Sequence, residues 1–392
     1  MSRHHRSERA ARQLGALYPE LGPWTTAVLW HDVDPSVDPS SAASDAAPPG
    51  APIEPELMTL LSQRLAPLAL RYPREHRVEL AAGDLKALQQ NAFWWLGMST
   101  TVTRAAAPVL ALLAEHGVAA AVPKGPGIAR LYPHPADRTF SDIDILIPAA
   151  EFAETMDLLR GQGWNEDVRT RQPRGYFDRY CREGVNLRRE GGSIDLHHHV
   201  PPWIFAAGLD LDAMRARALP VPQPAGEPLP CLTPEDNLLV VALHAVSDKN
   251  QPGATLLIWR DLVQLSRHVE PRTMADRAAE YGLDGWLHAL LSALPAAVRP
   301  HELLDTVRPG PIPSPVRLAA LLHGRWQHAD VLRSQFMRLP APRAAAYLAG
   351  MAFPSRRFLA DKFDDERHPY RSWWFGLRGR GDDALPPVRR SA

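Results

Sequence analysis

Cysteine is nearly absent from this chain of 392 residues, with Cys181 and Cys231 its only two. That excludes a disulfide-built scaffold and suits a reducing compartment. A net charge is lacking as well, because Lys+Arg 44 balance Asp+Glu 44. With no overall field, nucleic acid and anionic membranes are not expected partners, and any such contact would have to be local. No uninterrupted apolar run reaches the roughly 18 residues of a membrane span. The opening MSRHHRSERAARQLG has no apolar stretch of the kind a signal peptide carries, so a cytoplasmic protein without a membrane span is expected. Lysine is scarce, occurring only as Lys86, Lys124, Lys249 and Lys362 among many arginines. A lysine kept in such a background hints at a specific use.

Proline, by contrast, is abundant at 39 residues, and it gathers into segments that divide the chain. At roughly 150 residues per domain the length allows two or three domains. Residues 1–55 read as an N-terminal segment followed by a Pro/Ser/Ala linker from Val33 to Pro55, too poor in large apolar side chains to offset its ordering entropy. Residues 56–117 carry apolar side chains at helical spacing, among them Leu57, Leu60, Leu61, Leu85, Leu88, Ala92, Trp95, Val109 and Leu113, and close on Gly117. From 118 to 200 the period changes. A short apolar run, Val118 to Val122, precedes the loop Lys124-Gly125-Pro126-Gly127, and Phe140 to Ile147 alternates as a strand. A helix over Ala149 to Gly161 follows, then a hairpin of Gly184 to Arg189 and Ser193 to Val200. Residues 201–230 read as a proline-rich linker, 231–350 as a helical C-terminal domain opened by Thr233-Pro-Glu-Asp, and 351–392 as a polar tail with arginines and aromatics. The expected class is α+β, a small mixed sheet with flanking helices followed by a helical domain.

Chemistry concentrates in the middle segment. On an extended strand Asp142 and Asp144 share one face, roughly 6.5–7 Å apart by the strand rise, while the isoleucines between them point into the core. Such a pair is either a solvated strand end or a seat for a divalent cation such as Mg²⁺, which prefers oxygen ligands. Asp195, between Ile194 and Leu196, is a third strand-borne acid, and His197 follows on its face. Three carboxylates could hold two metal ions. Lys124 and Gly125 sit in a turn whose backbone can approach an anion and whose lysine can neutralise a phosphate, and Arg138 is a second candidate phosphate partner. The alternative for Lys124 is a surface lysine, and for Arg138 a pairing with Asp137 or Asp142 that holds the loop. In His197-His198-His199, neighbours on a strand point to opposite faces, so His197 and His199 alone could meet one ion. With no second cluster at ligand spacing, zinc is disfavoured.

Lys124-Gly125, Leu131-Tyr132, Pro135, Arg138 and Ser141-Asp142-Ile143-Asp144-Ile145-Leu146 occur in an order and spacing that resembles the uncharacterised nucleotidyltransferase family, a branch of the polymerase-beta-like nucleotidyltransferase superfamily. Ile194-Asp195-Leu196-His197 is similar to that family's downstream acid-and-histidine strand. Leu243-His244 and Trp259-Arg260-Asp261-Leu262 resemble its helical C-terminal part, so the likeness runs from about Val109 to Arg267. The resemblance implies a nucleotidyltransferase core with a small mixed sheet. It implies Asp142, Asp144 and Asp195 as catalytic metal ligands for Mg²⁺, with two ions and Mn²⁺ as a substitute. Lys124, Gly125 and Arg138 take the nucleotide-binding role, and His197 supports the metal ligands. Two departures stand out: Lys124-Gly125 replaces the Gly-Ser turn of many relatives, and Asp248-Lys249 stands where a second histidine often follows Leu-His.

The reaction so implied moves an NMP group from an NTP, ATP by expectation, to an acceptor and releases pyrophosphate. The acceptor class is a small molecule or a peptide or protein. Two other readings are a non-catalytic binding or regulatory module on the same fold, and a D-x-D glycosyltransferase. The second would need a nucleotide-binding region of about a hundred residues before the acid pair, where this chain is helical or linker.

Overall fold

The computed structural model describes residues 21–30, 33, 53–76, 78–166, 184–200, 209–224, 226–247 and 256–310, with isolated positions between 356 and 374. Most of the expected linker 33–55, Cys181 and most of the C-terminal tail lie outside the described residues. Helices α1 (Pro23–Trp30), α2 (Glu54–Ser62) and α3 (Ala66–His76) precede the long α4 (Ala82–Glu115). Next come a one-turn helix α5 (Gly125–Ala129), β1 (Asp144–Leu146), α6 (Phe152–Gly161), β2 (Asn165–Glu166), β3 (Gly184–Arg189) and β4 (Gly192–His197). The remainder is α7 (Leu211–Ala216), the hairpin β5 (Leu219–Val221) and β6 (Leu229–Cys231), and helices α8 (Pro234–Ser247), α9 (Leu256–Ser266), α10 (Pro271–Glu280), α11 (Asp284–Ser292) and α12 (His301–Thr306). The result is mixed α+β, a small sheet flanked by helices.

The four-stranded sheet has the order β1-β4-β3-β2, with β1 parallel to β4 and the other pairs antiparallel. One face is apolar. Val102, Val109 and Leu113 of α4 and Leu159 of α6 pack there against Ile145, Ile147, Leu187 and Leu196, all nearly fully buried. At about 1.5–3 kcal/mol for each such side chain, this layer is a main source of the sheet's stability. Leu146, on the other face, joins a second core with Ile128, Leu131, Tyr132 and the inner faces of α8 and α9. The chemistry therefore sits where the sheet meets the helical layer.

The strand is shorter than the alternation of Phe140 to Ile147 predicts. Phe140 spends its backbone on α4, its N–H donating to Ser99 Oγ (2.8 Å) and its carbonyl accepting from the same hydroxyl (2.8 Å). Pairing to β4 begins only where Asp195 N donates to Ile143 O (2.9 Å). The described part of the proline-rich stretch holds α7 and the β5/β6 hairpin. Pro220 and Pro230 face each other there, a placement open to prolines on short edge strands. Val122 bridges Cys231 and Ala121 bridges Leu146, so the hairpin is tied to the sheet just before Lys124.

By length and mean hydropathy (1.3 over 18 residues) α4 is one helix that could cross a membrane, although no uninterrupted apolar run marks it in the sequence. Its inner face from Val102 to Leu113 belongs to the core, as in a helix at the centre of a globular domain. Phe93, Trp94 and Leu96 in its first half are exposed.

Candidate active site

Parallel pairing sets Asp144 beside Asp195 and Leu146 beside His197. Because side chains alternate along a strand, Ile145 and Leu196 go to the α4 side while both acids and the histidine share the opposite face. Ligand atoms of Asp144, Asp195 and His197 all lie within 4.8 Å of one another, the sole such group of acids and histidines among the described residues. His197 Nε2 is 3.4 Å from Asp144 Oδ1 and 4.0 Å from Asp195 Oδ2. Across the sheet, Gly184 pairs with His197, and a Cβ there would sit 2.5 Å from the ring's Nδ1. Only glycine leaves the imidazole its place.

Lys124 caps α5 with its backbone in the left-handed region (φ +58°), which a side chain rarely adopts unaided. Asn237 of α8 secures it. Asn237 Oδ1 accepts from Lys124 N (2.6 Å), and Asn237 Nδ2 donates to Leu232 O (2.9 Å). Gly127, three residues on, lets α5 lie against β6 and α8, since a Cβ there would be 3.0 Å from Cys231 Cβ. Lys124 Nζ reaches Asp144 Oδ2 at 2.8 Å. The lysine singled out by its rarity is thus bound to the first acid of β1.

Burial opposes the charge on all three groups of the cluster, and the outcomes differ. For Asp144 burial is outweighed by the Lys124 charge and by hydrogen bonding and charge from His197, which hold its carboxyl well below the usual range. For Asp195 burial, reinforced by the charges of Asp144 and Asp142, outweighs the opposing charges of His197 and Lys124 and pushes it up to about 6. His197 loses basicity to burial but gains more from Asp144 and Asp195, so its net shift is upward. One acid stays ionised and the other titrates near neutrality, a division suited to binding by one and proton transfer at the other.

The structure separates Asp142 from this trio. Asp142 is exposed, two residues ahead of β1, and lines the cleft on which Asp144 also opens. Arg138 lines the cleft too, but its guanidinium is engaged by neither Asp137 nor Asp142. It makes a two-pronged contact with Asp261 of α9 (Nε–Oδ1 3.2 Å, Nη2–Oδ2 2.8 Å), and Tyr132 donates to the same carboxylate (2.6 Å). Asp137 pairs with Arg71 at 2.6 Å. Gly125 (φ +39°) lies in the cleft wall beside Lys124. The His198 ring meets those of Phe152 and His199 at tilts of 60° and 55° beyond the end of β4.

The cleft, about 380 Å³, runs from Lys124 and Asp144 between the sheet and α8/α9 to a rim formed by Arg64 and Trp95. Arg64, Trp95, Asn237 and Asp261 are site residues that sequence reasoning did not assign. Asp261 lines the cleft while it accepts from Tyr132 and Arg138 of the segment between α5 and β1. Nothing in the local sequence marks the other three.

Could a divalent cation sit here? Two aligned carboxylates supply hard oxygen donors, and Asp195 Oδ1 is buried with no hydrogen-bond partner among the described residues. An oxygen so placed fits a cation better than a protein core. With His197 offering a ring nitrogen to the same group, these residues could hold a metal ion.

No curated protein matches the chain. The sequence profile of a family described as uncharacterised nucleotidyltransferase matches residues 55–296, more than half of the chain and the whole of the sheet, the cleft and α8 to α11. With the paired acids of β1 and β4 lying inside that span, the chain belongs to the uncharacterised nucleotidyltransferase family.

Proposed function

We propose that the chain catalyses transfer of a nucleoside monophosphate from an NTP, ATP by preference, to an acceptor hydroxyl or similar group. The acceptor oxygen forms a bond to the α-phosphorus as the bond to the pyrophosphate oxygen breaks. Pyrophosphate leaves, and the acceptor proton is lost. The observation that carries this reading is the side-by-side register of Asp144 and Asp195, with Asp144 held by a lysine turn and opening on the cleft. Asp142, Asp144 and Asp195 are the residues that would hold Mg²⁺, which neutralises phosphate charge and polarises the reacting phosphoryl group.

The chain's own groups do the rest. Asp195 would also help take up the acceptor's proton. Lys124, with the Gly125 backbone beside it, stands ready for a phosphate oxygen while balancing Asp144. Arg138, locked to Asp261, shapes the wall of the cleft. Most of the rate would come from positioning and charge complementarity.

Isothermal titration with ATP, GTP, CTP and UTP in the presence of Mg²⁺ tests the reading. Binding of at least one NTP, abolished in a chain carrying both Asp142→Ala and Asp144→Ala, is expected. Absence of such binding would refute it. Release of labelled pyrophosphate on mixing with cell extract separates catalysis from a purely binding role.

A further inference from the structure

Resting on the nucleotide reading above, we infer that Arg64, from outside the sheet, binds the polyphosphate tail of the nucleotide. Of the three arginine and lysine side chains in the cleft, Lys124 is matched to Asp144 and Arg138 to Asp261. Arg64 makes no salt bridge among the described residues. Its guanidinium lies 4.2 Å over the Trp95 ring and donates from Nη2 to Ser141 Oγ at 3.2 Å, beside Asp142. Stacking fixes the plane of the fork and leaves other donors available, the state in which arginine recognises phosphate in a two-pronged manner.

The backbone says the same. Helix α2 ends with Leu65 N donating to Leu60 O (2.9 Å) and Arg64 N to Leu61 O (3.4 Å), and Arg64 has φ +59°. Helices that close in this way favour glycine at that position, since a side chain is strained there. An arginine set in a turn that favours glycine, near the Asp142 charge but in salt-bridge contact with no carboxylate among the described residues, is placed for something else. It lines the same cleft as Lys124, Gly125, Asp142 and Asp144, the residues assigned to nucleotide and metal. Arg138, the arginine that sequence reasoning assigned to phosphate, is already spent on Asp261.

Glycine is the residue the turn prefers, so Arg64→Gly removes the side chain without disturbing the fold, and Arg64→Lys keeps the charge but not the planar fork. Titrations of full-length chain with ATP, ADP and AMP in Mg²⁺, and with inorganic tripolyphosphate, read the contact. Arg64→Gly should weaken ATP and tripolyphosphate by about 10- to 100-fold, the scale of charge-assisted hydrogen bonds. AMP should weaken far less, Arg64→Lys should fall between, and the thermal midpoint should be unchanged or higher. ATP affinity equal to that of the parent, or an equal loss for AMP and ATP, overturns the inference and leaves the nucleotide reading standing. Tripolyphosphate binding that depends on Arg64, with no NTP bound by the parent, keeps the anion site and overturns the nucleotide reading. Failure of the parent to bind any of these probes overturns both.

Discussion

Asp195→Asn offers a test in which the site's electrostatics are read as stability. The carboxyl titrates near 6 in the folded chain against 3.8 for its ordinary value, because burial and two neighbouring acids oppose its charge. The folded state therefore holds this proton more tightly than the unfolded state. Between pH 4 and 6 the folded chain binds more protons, so stability falls as pH rises through that window and stays reduced above it. About two pH decades at about 1.4 kcal/mol each give a cost on the order of 3 kcal/mol at pH 7.5. His197, whose basicity is raised in part by Asp195, loses stability in the same direction as pH rises. Asparagine keeps the shape and removes the charge. In urea denaturation with EDTA, the variant should lose the decline between pH 4 and 6 and exceed the parent at pH 7.5 by up to about 3 kcal/mol. Mg²⁺ should then close most of that gap: at a hundredfold excess over its dissociation constant it adds about 2.7 kcal/mol to the parent and little to the variant. Parallel pH profiles in EDTA, or equal stabilisation of both proteins by Mg²⁺, would refute the reasoning.

Gly184→Ala should press on His197 Nδ1 and on the Leu196 carbonyl, 2.5 and 2.6 Å from the new Cβ, costing about 1–3 kcal/mol in thermal stability and weakening Mn²⁺ affinity in a metal titration. Asn237→Leu removes the acceptor that pins Lys124 N, so about 1–3 kcal/mol of stability is lost in chemical denaturation and NTP affinity falls with it. Asp261→Ala leaves Arg138 buried without its carboxylate, a loss of about 3–5 kcal/mol. Arg138→Met combined with Asp261→Leu should recover most of it, and a double-mutant cycle of melting curves checks the coupling. Below pH 6, protonation of Asp195 should weaken metal binding progressively, which calorimetry at stepped pH would detect.

The acids of β1 and β4 were legible because strand periodicity is local: Ile-Asp-Ile and Ile-Asp-Leu each declare which side faces the core. Their register against each other is not local, and neither is the early end of β1, which follows from Ser99 capturing the Phe140 backbone 41 residues away. Asp142 looked like the twin of Asp144 for that reason and proved to be a loop residue. Arg138 announced itself as a phosphate ligand by spacing alone, while its partner Asp261 lies 123 residues downstream. Arg64 and Trp95 reach the cleft, and Asn237 braces Lys124 in its wall, from the end of one helix and the bodies of two others whose local sequence reads only as amphipathic packing. Proline density suggested a linker where β5 and β6 pair, since edge strands tolerate what central strands do not.

The hydrogen bond from Lys124 to Asn237 and the two-pronged contact between Arg138 and Asp261 act as stitches along one border of the cleft, joining sheet to helical layer. A hinge that parted α8 and α9 from the sheet would have to rip both at once. At the opposite border Arg64, just past α2, is held by the Trp95 ring of α4 and by the Ser141 hydroxyl ahead of β1, which are lighter fastenings. A molecule that came to the paired acids past Trp95 would meet the guanidinium lying over its ring together with the exposed Asp142.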